Sequence, residues 1–173
     1  HSGLEIKVEN NSLIINGQGI KFLQEKEPAN LPWRELGVKV VVEATGFFET
    51  YPKAKGHLEA GATRVVVTAP IKGEPVPGVV GATVLMGINE DALATCQISS
   101  NASCTTNSAS PIIQIMQESV GVEKAVLNTV HAYTATQAIV DSPDKKGDYR
   151  RGRAAAANII PSTTGAAIAV TEA

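Results

Sequence analysis

Disulfide scaffolding is the first architecture that the sequence excludes. Two cysteines, Cys96 and Cys104, are too few to staple 173 residues. Two free thiols suit a reducing compartment, so a cytoplasmic location is expected. Charge of one sign is also lacking: 15 Lys and Arg stand against 17 Asp and Glu, a net of −2. That balance offers no general attraction to nucleic acid or to an anionic membrane, and neither is expected as a partner, although a local anion site is not excluded. No apolar run approaches the roughly 18 residues that span a bilayer, since even GVKVVVEATG is broken by Lys39 and Glu43. The opening SGLEIKVENN has neither a basic stretch nor an apolar one, so no leader is expected in it. No residue set suggests a metal site, and none is expected. Missing too is any Gly-x-Gly-x-x-Gly after a strand, with an acidic residue beyond it, the turn that holds a dinucleotide pyrophosphate. The chain starts without Met and closes on GAAIAVTEA, a helical pattern with no stop signal, so the reading expects an internal segment of a longer protein.

What is present is an ordinary globular composition, with hydrophobic residues at 43%, enough to build a core. LEIKVE (4–9) alternates apolar and charged residues, Asn10-Asn11 supplies a turn, and SLIING (12–17) and IKFLQE (20–25) continue an antiparallel hairpin region. NLPWRELG (30–37) predicts a short helix stopped by Gly37. VKVVVEAT (38–45) reads as a strand buried on both faces, residues 49–60 as a helix closed by Gly61, and RVVVT (64–68) as a second buried strand. Strand, helix and strand with short links are a βαβ unit. A Gly/Pro-rich loop (69–78) then separates VVGATVLM (79–86) and a brief strand QISS (97–100).

The chemistry-bearing text begins at Asn101. Pro111, Ile112, Ile113, Ile115, Met116 and Val120 form a helical stripe ending at Gly121, which puts Cys104 in the polar mouth of a helix. Unpaired N–H groups and the positive end of the helix dipole favour a thiolate there. The alternative is that Ser, Thr and Asn merely cap the helix while Cys104 packs as a small hydrophobe. EKAVLNTVHAYT (123–134) reads as a strand with Leu127, Thr129, His131 and Tyr133 on one face. One helix and one adjacent strand are a short enough path to bring His131 to Cys104 as a base for a nucleophile, or else His131 is a buried, bonded histidine. His1 and His57 read as structural or solvent-facing. Five basic residues (Lys145, Lys146, Arg150, Arg151, Arg153) then precede Ser162, Thr163, Thr164 and Gly165 before a last helix, a combination of cations, hydroxyls and N–H groups suited to phosphate.

These residues carry a resemblance. SNASCTTN, HAYT and RRGRAAAANIIPSTTGAA resemble phosphorylating glyceraldehyde-3-phosphate dehydrogenases, and PANLPW, ATGFF and TRVVVTAP are similar to the nucleotide-domain text of that family. The resemblance implies an α/β fold: part of a Rossmann-type NAD-binding domain over 1–102, followed by the start of an α+β catalytic domain over 103–173. It implies a cysteine-thioester oxidation of glyceraldehyde 3-phosphate to 1,3-bisphosphoglycerate in glycolysis, with NAD as cofactor (NADP left open), inorganic phosphate as co-substrate, and a homotetramer. By the same resemblance Cys104 is the nucleophile and His131 the base. Ser103, Thr105, Thr164 and Gly165 hold phosphate, and Thr134 and Arg151 contact substrate or phosphate, with Arg150 or Arg153 open to the role of Arg151. Thr45, Gly46, Phe47 and Thr68 line the cofactor cleft. Ser108 stands where many members carry a second cysteine. The other readings are an erythrose-4-phosphate-oxidising relative, an inactive chain lacking the pyrophosphate turn, and a cysteine hydrolase or acyltransferase using the same pair without cofactor.

Overall fold

The computed structural model describes residues 3–9, 12–143 and 147–172. His1, the turn expected at Asn10-Asn11, and Lys145 and Lys146 of the basic segment lie outside the described residues. The first sheet is antiparallel, with β1 (Ile6–Glu9), β2 (Ser12–Ile15) and β3 (Gln18–Lys21) in the order β1-β2-β3. Ile15 pairs with Gln18 across Asn16-Gly17, and both linking residues have positive φ (50° and 79°), the conformation of the two-residue turn that matches strand twist.

The expected helix over 30–37 is not formed. A short 3-10 helix covers Pro28–Asn30, and Leu31 is extended at ψ 140° because it precedes Pro32, whose ring disfavours helical geometry in the residue before it. One further turn follows, with Leu36 N donating to the Pro32 carbonyl (3.0 Å), and it ends at Gly37 with φ 66°.

The second sheet is all parallel, in the order β4-β5-β7-β6, from β4 (Val40–Glu43), β5 (Arg64–Val67), β6 (Gly81–Thr83) and β7 (Ile98–Ser100). Helix α1 (Tyr51–Glu59) connects β4 to β5, so the βαβ unit stands where expected. One face of this sheet is the core: Val65, Val67 and Ile98 pack with Tyr51 and Ala54 of α1 and with Val79. On the opposite face the edge strand is open, for Val40 and Val42 are 52% and 63% exposed, while Ser99 of β7 is buried. β4 is therefore not buried on both faces as its unbroken apolar run suggests; it is an edge strand covered on one side.

Helix α2 (Cys104–Ser119) and helix α3 (Ala166–Glu172) pack on each other. The strand expected over 123–134 is absent: Val126 and Val130 are 97% and 93% exposed, and no ladder pairs this segment among the described residues. An extended backbone becomes a strand only where a neighbour takes up its N–H and C=O groups. No helix among the described residues is long and apolar enough to cross a membrane.

A buried polar network braces the carboxyl end of β4. Trp33 Nε1 donates to His57 Nδ1 (3.1 Å), which leaves His57 Nε2 to donate to Glu43 Oε2 (3.1 Å). His57 is thus structural, and not solvent-facing. Burial pushes the Glu43 carboxyl up, but hydrogen bonds from the Thr45 hydroxyl and N–H and from His57 outweigh it and hold the group below its usual value. A lowered folded-state value means that this stabilisation is fully present above the unfolded value of about 4.3 and is lost as pH falls through the folded one. Glu43→Gln is expected to cost about 1–3 kcal/mol at pH 7. In urea unfolding followed by Trp33 fluorescence, the gap from the parent should close on acidification; a gap constant from neutral pH to below the carboxylate range would refute the charge-based account.

Candidate active site

Parallel α/β sheets bind ligands beyond the carboxyl ends of their strands, and Cys104 after β7 and the Thr45–Phe47 and Thr68 positions after β4 and β5 follow those ends. Beyond β7 the chain passes through Asn101 and Ala102 to Ser103, the N-cap of α2. The Ser103 hydroxyl accepts from Thr106 N (3.1 Å) and bonds the Thr106 hydroxyl (2.8 Å), so its oxygen serves to start the helix. Cys104 is the first helical residue, exposed and in no disulfide.

Its sulfur lies 3.2 Å from His131 Nε2. His131 Nδ1 donates to the Ala132 carbonyl (2.6 Å), which fixes the proton on Nδ1 and turns Nε2 towards the thiol. The Cys104 thiol is held below its ordinary value, first by the His131 hydrogen bond, against a smaller desolvation effect, with help from Thr105. His131 is raised, first by its bond to the Ala132 carbonyl and then by Cys104. Each partner's shift favours the thiolate–imidazolium pair. Cys96 is the contrast: buried at 3% exposure, its thiol is pushed up by burial.

A second cluster gathers around Arg151. Its guanidinium donates to the Thr136 hydroxyl (2.8 Å) and to the Ser162 hydroxyl (2.8 Å), and Nε lies 3.5 Å from Asp148. Thr136 in turn bonds the Thr134 hydroxyl (3.0 Å). Of the neighbouring arginines, Arg150 shares Asp148 (3.1 Å) and Arg153 pairs with Asp141 (3.2 Å). Of the three, Arg151 is the one set among hydroxyls. Thr164 accepts from Ala166 N (3.1 Å) and Gly165 O accepts from Ala169 N (3.1 Å), so both serve the start of α3. The sequence signals Thr136 and Asp148 only weakly, through Thr136's place two residues beyond Thr134 and the i, i+3 spacing of Asp148 and Arg151.

At the ends of β4 and β5, Thr45 is anchored on Glu43 through its N–H (2.7 Å) and its hydroxyl, and the Thr45 hydroxyl also accepts from Phe47 N (3.2 Å). Gly46 takes φ 75°, Phe47 leaves its ring 75% exposed, and Thr68 donates through N (3.0 Å) and Oγ1 (3.2 Å) to the Glu43 carbonyl. Among the described residues there is no group of His, Cys, Asp and Glu able to hold a metal.

Two family models match this chain. The one described as the NAD binding domain of glyceraldehyde 3-phosphate dehydrogenase covers residues 1–51, and the one described as the C-terminal domain of the same enzyme covers 103–173. The chain belongs to the glyceraldehyde-3-phosphate dehydrogenase family. It is 49% identical over 167 residues to glyceraldehyde-3-phosphate dehydrogenase of Thermotoga maritima, covering 96% of this chain and 48% of that protein. It is 45% identical over 166 residues to glyceraldehyde-3-phosphate dehydrogenase B of Aspergillus oryzae (96% and 47%), and 46% identical over 168 residues to glyceraldehyde-3-phosphate dehydrogenase 1 of Bacillus subtilis (96% and 48%). The chain spans about half the length of the curated relatives it matches.

The two thiols are expected to differ sharply in reactivity. Iodoacetamide should alkylate Cys104 at least about tenfold faster than Cys96 at pH 7, with a rate that persists to lower pH than an ordinary thiol allows. His131→Asn should abolish both the speed and the low-pH tail. Equal rates for the two cysteines, read by peptide mass spectrometry, would remove Cys104 from the reactive role.

Proposed function

We propose that the protein to which this chain belongs oxidises glyceraldehyde 3-phosphate with NAD and inorganic phosphate to 1,3-bisphosphoglycerate, through a thioester on Cys104. The observation that carries the reading is the 3.2 Å contact of Cys104 Sγ and His131 Nε2 at the start of α2. The Cys104 thiolate adds to the aldehyde carbon, and the oxyanion takes its proton from the His131 imidazolium, giving a hemithioacetal. The unpaired backbone N–H of Cys104 at the helix start is available to that oxyanion. His131 takes the hydroxyl proton back as the hemithioacetal is oxidised to the thioester. NAD, when bound, supplies the hydride acceptor for that oxidation. An oxygen of hydrogen phosphate then attacks the thioester carbonyl, the C–S bond breaks, the phosphate's proton passes to solvent, and the acyl phosphate leaves with the Cys104 thiolate and the His131 imidazolium restored.

Phosphate and the substrate's own phosphate need cations and hydroxyls, and Arg151 with Thr134, together with Ser103, Thr105, Thr164 and Gly165, are assigned to them. For the cofactor, Thr45, Gly46, Phe47 and Thr68 fit the edge of a nucleotide cleft. They stand at the carboxyl ends of two parallel strands, with a braced loop and an exposed ring. We read 1–102 as the NAD-binding part and 103–173 as the catalytic part. We extend the proposal to a cytoplasmic homotetramer, supported by two free thiols and by exposed apolar residues such as Val40, Val42, Ile112 and Ile115. The 173 residues by themselves carry no glycine-rich pyrophosphate turn and are expected not to turn over.

In the full-length protein Cys104→Ser should abolish NADH formation. Arg151→Ala should raise the phosphate KM by about tenfold or more, the loss of one charge-assisted contact, while the single-turnover NADH burst changes little. A burst that falls as steeply as phosphate-dependent turnover would move Arg151 to aldehyde or cofactor binding.

A further inference from the structure

Ala102 links β7 to α2 with φ 56°, a left-handed backbone that a residue with a Cβ adopts only when its surroundings impose it, and it is buried. On one side its N–H donates to the Ser100 hydroxyl (3.1 Å). On the other side stands Asn107, one turn into the helix. Its side-chain Nδ2 donates to the Asn101 carbonyl (2.7 Å) and to the Ser103 carbonyl (2.9 Å), the two carbonyls that flank Ala102. Both hydrogens of the amide are spent, and the Asn107 backbone N–H closes the first helical turn on the same Ser103 carbonyl (2.9 Å).

We infer that Asn107 is a positioning residue for the nucleophile: its amide clamps the left-handed elbow at Ala102 and so sets the direction of Cys104 towards His131. This rests on the reading of Cys104 as the nucleophile. The cysteine's side of the alignment matters because His131, whose ring is turned by its bond to the Ala132 carbonyl, sits in an exposed segment that no ladder holds among the described residues. A carboxylate in place of the amide has the same shape and no hydrogen to donate, so the role is specific to the amide.

The test uses the full-length protein with Asn107→Ala, Asn107→Asp, and Asn107→Ala combined with Ala102→Gly. The readouts are the pH–rate profile of Cys104 alkylation, kcat and KM, NAD affinity by calorimetry, and Tm. Asn107→Ala should slow alkylation at pH 7 roughly tenfold, within the ~100-fold that an ångström of misplacement can cost. It should also move the profile's midpoint upward and lower kcat with NAD affinity unchanged. Asn107→Asp should do at least as much, since it turns two donors into acceptors facing carbonyls. Ala102→Gly should restore much of the rate and midpoint to Asn107→Ala, because glycine takes that φ without a Cβ penalty. Unchanged rate and midpoint in Asn107→Ala, with a fast parent thiol, overturn the inference. So does a lowered Tm with an unchanged midpoint, which marks a structural role only. A parent Cys104 no faster than Cys96 overturns the nucleophile reading and this inference with it.

Discussion

The Ser100 hydroxyl, with no exposed surface, is used three times: it donates to the Ala69 carbonyl (2.8 Å) and accepts from Ile71 N (3.3 Å) and Ala102 N (3.1 Å). Ala69 and Ile71 belong to the loop that follows β5, and Ala102 to the elbow that follows β7. The parallel register of Val67 with Ser100 puts the two strand ends side by side. One buried oxygen thereby ties the exit of one strand to the exit of the next, and a donor or acceptor left unmade there would cost about 1–3 kcal/mol. The placing of Cys104 four residues on, and of Thr68 just before Ala69, follows from that shared anchor.

The positions of the parallel strands were legible because runs such as RVVVT leave few other options, but the faces they bury were not. Val40 and Val42 prefer burial as strongly as Val41, and sequence registers the preference without saying what covers it. The sign that β4 is not uniformly apolar was Glu43, a carboxylate inside a valine run, paired with a histidine 14 residues on through Trp33's partner His57. A buried carboxylate requires donors, and here Thr45 and His57 provide them, so the residue that interrupts the hydrophobic pattern is also the one that fixes the loop of Thr45, Gly46 and Phe47.

The pairing of Cys104 with His131 was anticipated by the wrong route. Alternation in VLNTVHAYT predicts a strand, yet periodicity describes only side chains, and a ladder needs a neighbour that no described segment supplies. What survives is reach: α2 and a short return place 131 near 104 whether or not the return is paired. The arginines show the converse limit. Arg150, Arg151 and Arg153 are alike in sequence and are sorted by their partners: Arg150 pairs with Asp148 and Arg153 with Asp141, while Arg151 adds the hydroxyls of Thr136 and Ser162 to its own contact with Asp148. Charge counting cannot separate them.

The rotation of α2 decides which of the two sequence readings of Cys104 holds. Thr106 and Ser110 are its buried positions, while Ile112 and Ile115 of the expected apolar stripe are exposed. At about 100° per residue, Cys104 stands roughly 200° from Thr106 and within about 20° of Ile115 around the helix axis. Had the side that carries Pro111 and Ile115 faced the core, Cys104 would have been carried inward with it and would have been the small hydrophobe of the alternative reading. The helix instead turns its small hydroxyl residues inward, anchored at the start by the Ser103–Thr106 cap. The thiol therefore emerges on the open side of the first turn, where His131 reaches it.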